Sequence, residues 1–417
     1  MKLHPILAAL RKHKAGTVLI ALQIALTLAI VCNAIFIIGQ RIERVSRPTG
    51  LDENNLFRIG QQWVGAPSAD TAAGVEKLDA MQLEDLAALR NLPGVASVTP
   101  INSLPLSNST WAGSLSLKPG AVAGDKTGTR TAYYFTDEQV LPTLGLKLVA
   151  GRAFNAGDVQ HQGFRDNPAR PVVMITQALA EKLFLHENAV GKVIYSDGSS
   201  SPSTIIGVVA RMQTPPGGWG STFAWYSTLV PSRLDSDSGM YAVRTKPGQL
   251  DTVMRSVSSL LYKINPLRVL DDDSITPFTE IRAHAYRADV GMAILMGVIC
   301  LILIAVTAAG IVGLTSFWVG QRHRQIGVRR ALGARKIDIL HYFQIENFLI
   351  AGIGAVLGVL LALGLNLWLI TRYEMSHLPV PYVLVGVIAV LVLGQAAVFV
   401  PARRASNVPP VSATRAA

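Results

Sequence analysis

The sequence predicts a membrane α-helical protein with four transmembrane helices and one large α+β domain outside the cytoplasm. Half of the 417 residues are hydrophobic and only 16% are charged, with a mean hydropathy of +0.36, and these values are unusual for a soluble domain. The apolar residues are concentrated in four stretches, each long enough to cross the ~30 Å hydrocarbon layer as a helix. Basic residues are concentrated in the short segments beside these stretches.

The predicted organisation alternates spans and connecting segments. In chain order it consists of a cytoplasmic N-terminal segment (1–15), transmembrane helix 1 (16–39), a periplasmic domain with its stalks (40–289), transmembrane helix 2 (290–320), a cytoplasmic segment (321–341), transmembrane helix 3 (342–371), a short periplasmic turn (372–379), transmembrane helix 4 (380–402) and a cytoplasmic tail (403–417). The first stretch could instead be a signal peptide, because basic residues precede it. Its apolar run is longer than the usual 7–15 residues, and no small-residue cleavage pattern follows it, so we expect an uncleaved anchor.

The distribution of Lys and Arg predicts the orientation. Four lie in the N-terminal tail, six between the second and third stretches and three in the C-terminal tail, whereas the turn between the last two stretches has one. By the positive-inside rule both tails and the basic loop are cytoplasmic. Residues 41–289 carry 24 basic and 24 acidic side chains. The net charge of +11 therefore reflects orientation in a bacterial inner membrane and contact with its lipid, and we predict no nucleic-acid partner.

The outer domain contains two β-α-β patterns separated by a long insertion. The first has a strand at 55–60, a helix at 79–91 and a strand at 95–101, and the second has a strand at 240–245, a helix at 250–264 and a strand at 267–270. Two such units close together into a ferredoxin-like layer. The insertion, at about 102–239, is broken by Gly, Ser and Pro, with strands at 172–175 and 204–209 and a helix at 177–184. We interpret it as an inserted β-rich lobe.

A loop within this lobe concentrates aromatic side chains. Trp219, Trp225 and Tyr226 follow a Pro-Pro-Gly-Gly sequence. Two interpretations remain open: the aromatic rings fold onto their own sheet, or they form a periplasmic contact surface, since exposed aromatics favour interfaces.

No residue pattern predicts catalysis. Gly191-Lys192 lacks the upstream glycine and the following Ser or Thr of a phosphate-binding loop. The eight histidines show no paired metal-ligand spacing. We interpret the acidic run at 271–273 as a solvated turn. The sequence therefore predicts a non-catalytic protein without a metal or cofactor of its own.

The most specific motif is the basic segment at residues 322–340, which reads Arg-His-Arg-Gln-Ile-Gly-Val-Arg-Arg-Ala-Leu-Gly-Ala-Arg-Lys-Ile-Asp-Ile-Leu. At helical spacing Ile326, Arg329, Arg330 and Gly333 share one side, and Ala331 with Leu332 adds an apolar patch. Gly333 followed by Ala334 allows a sharp break before the next helix. A basic amphipathic segment resting on lipid headgroups is the less specific alternative.

This segment resembles the signature of the MacB/FtsX-type ABC transporter permeases, a type VII group that also includes LolC and LolE. The match runs over residues 326–334, with Gln325 where the family usually has Glu. Residues 151–158 resemble the family's Gly-Arg-x-Phe-x-x-x-Asp string, and residues 401–415 resemble its C-terminal ending. The resemblance covers nearly the whole chain.

The resemblance implies a permease subunit that pairs with a second permease and with cytoplasmic ABC ATPase subunits, which bind ATP and Mg. The outer domain would be a MacB-like core with a ferredoxin-like porter part. ATP-driven movement would pass to that domain by mechanotransmission, for efflux of a periplasmic substrate through an adaptor protein. Extraction of lipoproteins and FtsX-like regulation of cell-envelope enzymes are the alternatives. The substrate, the choice between homodimer and heterodimer, and the consequence of Gln325 remain open.

The resemblance also assigns candidate residues. Those expected to couple to the ATPase are Arg324, Gln325, Ile326, Gly327, Arg329, Arg330, Ala331, Leu332, Gly333 and Ala334. Small residues at four-residue spacing predict close helix packing, and they are Ala21, Ala25 and Ala29 on span one and Gly354 and Gly358 on span three. Glu346, near the cytoplasmic start of span three, either snorkels to the interface or pairs with a basic neighbour.

Overall fold

The computed structural model describes residues 14–107, 109–121, 128–164, 166, 168–185, 187–215, 223–373 and 377–407. The helices are α1 (Lys14–Val45), α2 (Ala72–Arg90), α3 (Val140–Leu144), α4 (Gln177–Phe184), α5 (Leu250–Ile264), α6 (Phe278–Gln321), α7 (His323–Ala331), α8 (Lys336–Tyr373) and α9 (Val380–Ser406). The strands are β1 (Leu56–Trp63), β2 (Val95–Pro100), β3 (Trp111–Ser116), β4 (Gly128–Thr136), β5 (Leu148–Gly151), β6 (Gln160–Gly163), β7 (Val172–Thr176), β8 (Val193–Ser196), β9 (Pro202–Val209), β10 (Ser227–Asp235), β11 (Ser238–Thr245), β12 (Arg268–Val269) and β13 (Ile275–Pro277).

The chain divides into two compact units. The helical unit combines Met1–Val45 with Ala288–Ala417, and the outer unit is Ser46–Arg287. Within the described residues, α1, α6, α8 and α9 are long and apolar enough to cross a membrane. The predicted fold class, four apolar helices with a mixed α/β domain, is confirmed.

The outer unit contains the ferredoxin-like layer that the two β-α-β patterns predict. Its sheet has the order β12-β1-β11-β2, and each neighbouring pair is antiparallel. Helices α2 and α5 cover one face of this sheet. The buried core between the sheet and these helices includes Phe57, Ile59, Leu86, Leu89, Tyr241, Val243 and Leu261.

Two boundaries in this layer differ from the sequence prediction. Helix α2 begins at Ala72 and not at residue 79, because Thr71 caps it by accepting a hydrogen bond from the Gly74 amide at 3.1 Å. Strand β1 continues to Trp63, beyond the predicted end at Gly60. Gln61 extends the strand with a buried polar side chain, which interrupts the apolar pattern.

The inserted lobe is a second sheet with the order β4-β3-β8-β9-β7-β10-β6, and β5 pairs with β9. A parallel pairing of β10 with β4 closes six of these strands into a ring. Strands β7 and β9 also pair in parallel, with α4 between them in the chain. The lobe core consists of buried apolar side chains from these strands and from α4.

In the helical unit, α1 lies at the centre and packs against both α8 and α9. Most of α1 is buried, whereas most of α6 is exposed. Helix α6 contacts α1 through a hydrogen bond of 2.7 Å between the hydroxyls of Thr27 and Thr307 and one of 3.1 Å from Gln23 Nε2 to the Val306 carbonyl. Cys32 and Cys300 are both buried in this unit as free thiols.

Candidate coupling site

The basic segment forms a short helix, α7, which ends at a glycine. Gly333 has φ +97°, a conformation that L-residues with a side chain rarely adopt. Its amide donates to the Arg330 carbonyl at 3.2 Å, and the Ala334 amide donates to the Arg329 carbonyl at 3.0 Å. This pair of bonds is a Schellman motif, and the Arg330 guanidinium adds a bond of 3.2 Å to the Ala334 carbonyl. The break predicted at Gly333 is therefore present, and α8 starts three residues later.

The predicted coupling residues divide between two sides of α7. Ile326 and Gly327 are buried, and Arg330 and Ala334 are half-buried. The exposed residues are Arg324, Gln325, Arg329, Ala331, Leu332 and Gly333. Val328 is also exposed and lies four residues from both Arg324 and Leu332, and Leu332 is 83% exposed. Helix α7 therefore presents a mixed apolar and basic surface.

Two contacts join the segment to α8. Arg322 Nη1 lies 3.1 and 2.9 Å from the two carboxylate oxygens of Glu346, and both side chains are largely buried. The Arg329 guanidinium lies 5.2 Å from the centroid of the Tyr342 ring, which is within cation–π range. Sequence reasoning placed Arg329 among the coupling residues but did not include Arg322. The signal available for Arg322 was Glu346, the one charged residue in the predicted span at 342–371.

The two faces of small residues lie against each other. A Cβ on Gly354 would lie 2.8 Å from the Ala21 carbonyl oxygen, and a Cβ on Gly358 would lie 3.0 Å from that of Ala25. Ala29, one turn further along α1, is also buried. Glycine therefore permits α1 and α8 to approach more closely than any residue with a side chain would allow.

The described aromatic loop residues, Trp225 and Tyr226, belong to the outer unit. Tyr226 packs against the lobe core. Trp225 is half-buried between two guanidinium groups, with Arg211 at 4.8 Å and Arg47 at 5.9 Å from its ring centroid. Trp219 lies outside the residues that the structure describes. A contact role for these residues stays a prediction.

An ion network in the outer unit joins α2 to the lobe. The carboxylate of Asp79 accepts two hydrogen bonds from Arg233, at 2.7 and 3.0 Å, and His161 Nδ1 lies 2.8 Å from Asp235 Oδ2. Burial raises the pKa of the Asp235 carboxyl to about 6. Partial burial acts to lower the pKa of His161, but the hydrogen bond to Asp235 and the nearby carboxylates outweigh that effect and raise it.

This network is also the place in the described residues where a metal ion could be considered. Asp79, His161 and Asp235 each offer a ligand atom, and these atoms lie within 4.8 Å of one another. Arg233 already occupies both oxygens of Asp79, and a guanidinium beside the cluster would repel a metal cation. The donor set therefore fits an ion network better than a metal site.

The fold and the segment together define a class: a multi-span membrane protein with a domain outside the cytoplasm and a short basic helix between its second and third spans. Two family models match the chain. The MacB-like periplasmic core domain matches residues 17–260, and the FtsX-like permease C-terminal domain matches residues 297–410. The chain belongs to this family of MacB-like, FtsX-like permeases.

Several curated relatives carry the name "Macrolide export ATP-binding/permease protein MacB". The protein from Neisseria gonorrhoeae is 25% identical over 410 residues, which cover 97% of this chain and 59% of that protein. The protein from Paracoccus denitrificans, named MacB 1/2, is 27% identical over 415 residues, covering 98% of this chain and 57% of that protein. The protein from Chromobacterium violaceum is 30% identical over 278 residues, which cover 64% of this chain and 41% of that protein. The chain thus spans well under two thirds of the length of these relatives.

Solved structures give weaker similarities. The periplasmic region of MacB from Actinobacillus actinomycetemcomitans is 18% identical, covers 58% of this chain and 97% of that chain, and has a TM-score of 0.34. The extracellular domain of the ABC-type transporter YknZ from Gram-positive bacteria is 16% identical. The match covers 52% of this chain and 100% of that chain, with a TM-score of 0.31.

Proposed function

We propose that the chain is the permease subunit of an ABC transporter and that it converts ATP hydrolysis by an ABC ATPase partner into movement of its outer unit. In this proposal α7 is the coupling helix, both tails are cytoplasmic, and the bacterial inner membrane surrounds the helical unit. ATP and Mg bind the ATPase, and this chain contributes no catalytic group. Two permeases form the working dimer.

The single observation that carries the proposal is the outward surface of α7. A short helix ended by a Schellman motif is a rigid element, and Val328 and Leu332 expose apolar side chains beside Arg324 on it. Exposed apolar residues flanked by charge are typical of a protein interface. A segment that only rests on lipid headgroups would not require the defined break at Gly333.

The connectivity of the chain supports mechanotransmission. Helix α6 leads directly into Arg322 and α7 at one end, and its first residue, Phe278, belongs to the outer unit. Helix α1 likewise ends at Val45, where the outer unit begins. A displacement of α7 would therefore act on α6 through the chain, and on α1 through α8, which packs against it.

Efflux of a periplasmic substrate through an adaptor protein is the use that we propose for this movement. Its support is the name of the relatives, which describes macrolide export. Lipoprotein extraction and regulation of cell-envelope enzymes would use the same coupling helix, so the substrate has to be identified by what the outer unit captures.

The coupling assignment is testable because both native cysteines are buried. A Leu332→Cys variant places an accessible thiol on α7, and a Leu185→Cys variant places one of equal exposure, 82%, on the outer unit. After labelling with benzophenone maleimide and illumination in membranes of the source organism, we expect the thiol at residue 332 to capture a protein with an ABC-type ATPase sequence. The thiol at residue 185 should not capture it.

The same two variants test the orientation. In intact spheroplasts, a membrane-impermeant maleimide should label the thiol at residue 185 and leave the thiol at residue 332 unlabelled until the membrane is opened. Capture of the ATPase from residue 185, or from neither residue, would contradict the proposed function. Labelling of residue 332 in intact spheroplasts would contradict the orientation.

A further inference from the structure

A buried ion pair joins Arg322, the residue before α7, to Glu346 in α8. Glu346 is 3% exposed and lies ten residues after the start of α8, which is about 15 Å along the helix axis. Its two oxygens both accept hydrogen bonds from one nitrogen of Arg322, Nη1. A carboxylate buried this far along an apolar helix is costly unless it is paired, so the arrangement of α7 and α8 depends on this contact.

The contact between Arg329 and Tyr342 joins the same sides of the two helices as the ion pair does. Arg322 and Arg329 are seven residues apart, which is about two helical turns, and Tyr342 and Glu346 are four residues apart, about one turn. Each pair therefore lies on one side of its helix. Ile326 lies between the two arginines on this side and is 5% exposed. The side of α7 defined by Arg322, Ile326 and Arg329 is its seat on α8.

Helix α7 also packs against α9, but three residues of the segment point away from the seat. Arg324, Val328 and Leu332 follow each other at four-residue spacing and are all exposed. The ten residues that the sequence assigns to coupling thus contain two groups: one that faces outward, and one that fixes the helix to α8.

We propose that Arg322 and Glu346 are positioning residues, and that their ion pair seats α7 on α8 so that its outward side meets the ATPase in one orientation. Arg329 belongs to the seat, and its stacking on Tyr342 sets the angle of the helix. This inference deepens the proposed function and depends on it for the identity of the partner, but the seat itself is a property of this chain.

The test measures the position of α7 in the full chain without any ATPase. Spin labels on Leu332→Cys and Asn407→Cys report the distance from the end of α7 to the end of α9, since the native cysteines are buried and Asn407 is exposed. An Arg322→Glu substitution places two carboxylates against each other. We expect the distance distribution to become roughly twofold broader, because α7 loses the ion pair that holds its first turn against α8.

Matched variants separate pairing from general damage. Arg324→Glu introduces the same charge change two residues away, on the outward side, and should leave the distribution as narrow as in the wild type. Arg322→Lys should also leave it narrow, because a single nitrogen of Arg322 makes both bonds to Glu346. The exchange variant, Arg322→Glu with Glu346→Arg, should restore the narrow distribution.

Equal widths for Arg322→Glu and Arg324→Glu would overturn the proposal, as would an exchange variant that stays broad. The proposed function is tested separately by the cross-link at residue 332 in the otherwise unchanged chain. A broad distribution for Arg322→Glu together with no captured ATPase would retain the seat and contradict the proposed function. Capture of the ATPase together with an unchanged distance distribution for Arg322→Glu would retain the proposed function and contradict the seat.

Discussion

A buried ion pair in the ferredoxin-like layer gives a sharp prediction about the stability of the outer unit. Asp85 and Arg268 each have a side chain that is 1% exposed. Arg268 donates to both oxygens of Asp85, at 3.0 and 2.9 Å, and Asp85 also accepts hydrogen bonds from Gln61 at 2.7 Å and from the Tyr241 hydroxyl at 3.1 Å. The Asp85 carboxylate therefore accepts four hydrogen bonds, and Arg268 is the cation that balances its charge.

Replacement of Arg268 by Met leaves that charge buried without a counter-ion, and breaking a buried pair in this way typically costs about 3–5 kcal/mol. With a urea dependence of about 3 kcal/mol per molar, the unfolding midpoint of the outer unit should fall by about 1–2 M. Pulse proteolysis of the full chain in detergent across a urea series measures this midpoint. Arg255→Met on the exposed side of α5 is the matched control, and its expected change is within about 0.5 kcal/mol.

The double variant Asp85→Asn with Arg268→Met tests the physical reason. The amide keeps the shape of the side chain and its hydrogen bonds to Gln61 and Tyr241 but removes the charge. Because the main cost is the uncompensated charge, the double variant should recover most of the lost stability. A double variant as unstable as Arg268→Met alone, or an Arg268→Met variant as stable as Arg255→Met, would refute the reasoning.

Two further outcomes are expected. The pKa of Asp235 is raised from 3.8 to about 6, so the folded state binds its proton more tightly than the unfolded state does. The free energy of unfolding should therefore fall by up to ~3 kcal/mol as the pH rises from about 4 to about 6, and the raised pKa of His161 should extend this fall to a pH above the ordinary pKa of histidine. Asp235→Asn should flatten the lower part of this pH profile in the same proteolysis assay. In the helical unit, a Cβ on Gly358 would lie 2.9 Å from the Leu28 Cβ, whereas one on Gly364 meets nothing within 4 Å. Gly358→Leu should therefore destabilise the helical unit by about 1–3 kcal/mol, measured as unfolding in an SDS titration. Gly364→Leu should unfold at the same SDS concentration as the wild type, and equal responses of the two variants would contradict the close packing.

The sequence predicts the ferredoxin-like layer because most of its elements follow simple rules. Helix α5 is predicted with its observed bounds, since its apolar residues keep helical spacing between clear ends. The start of α2 is missed because its first turn, from Ala72 to Gly74, has no large apolar residue, and the Thr71 cap decides it. Strand β1 is cut short because Gln61 is polar and yet buried, through a partner 24 residues away in the chain.

The inserted lobe is harder to predict for a different reason. Its ring of strands is closed by the parallel pairing of β10 with β4, and these strands are about 100 residues apart. Such a register depends on contacts that local periodicity does not contain. The lobe is therefore recognisable from its composition, whereas its topology is not.

The coupling segment shows the same limit at the level of single residues. The order of residues around Gly333 predicts a short helix and a break, because both depend on local backbone geometry. Helical spacing groups Ile326, Arg329 and Arg330 on one side, but it does not predict their exposure. In the structure Ile326 is buried, Arg329 is exposed and Arg330 is half-buried, because their surroundings depend on how the neighbouring helices pack. Arg322 and Glu346 are 24 residues apart, and their pairing exists only once α6, α7 and α8 have packed.

The contacts in the helical unit give the proposed coupling helix a route to two long helices. Helix α7 is joined to α6 by the chain and to α8 by the seat, and α8 is joined to α1 along the glycine face at Gly354 and Gly358. The approach of α8 to α1 is limited by backbone atoms, so that face has little room for sliding. Helix α6, by contrast, is attached to α1 through a few polar contacts such as Thr27 with Thr307. Under the proposed function, a displacement of α7 would reach α1 through this closely packed path and α6 through the chain itself, and these are the two helices that flank the outer unit.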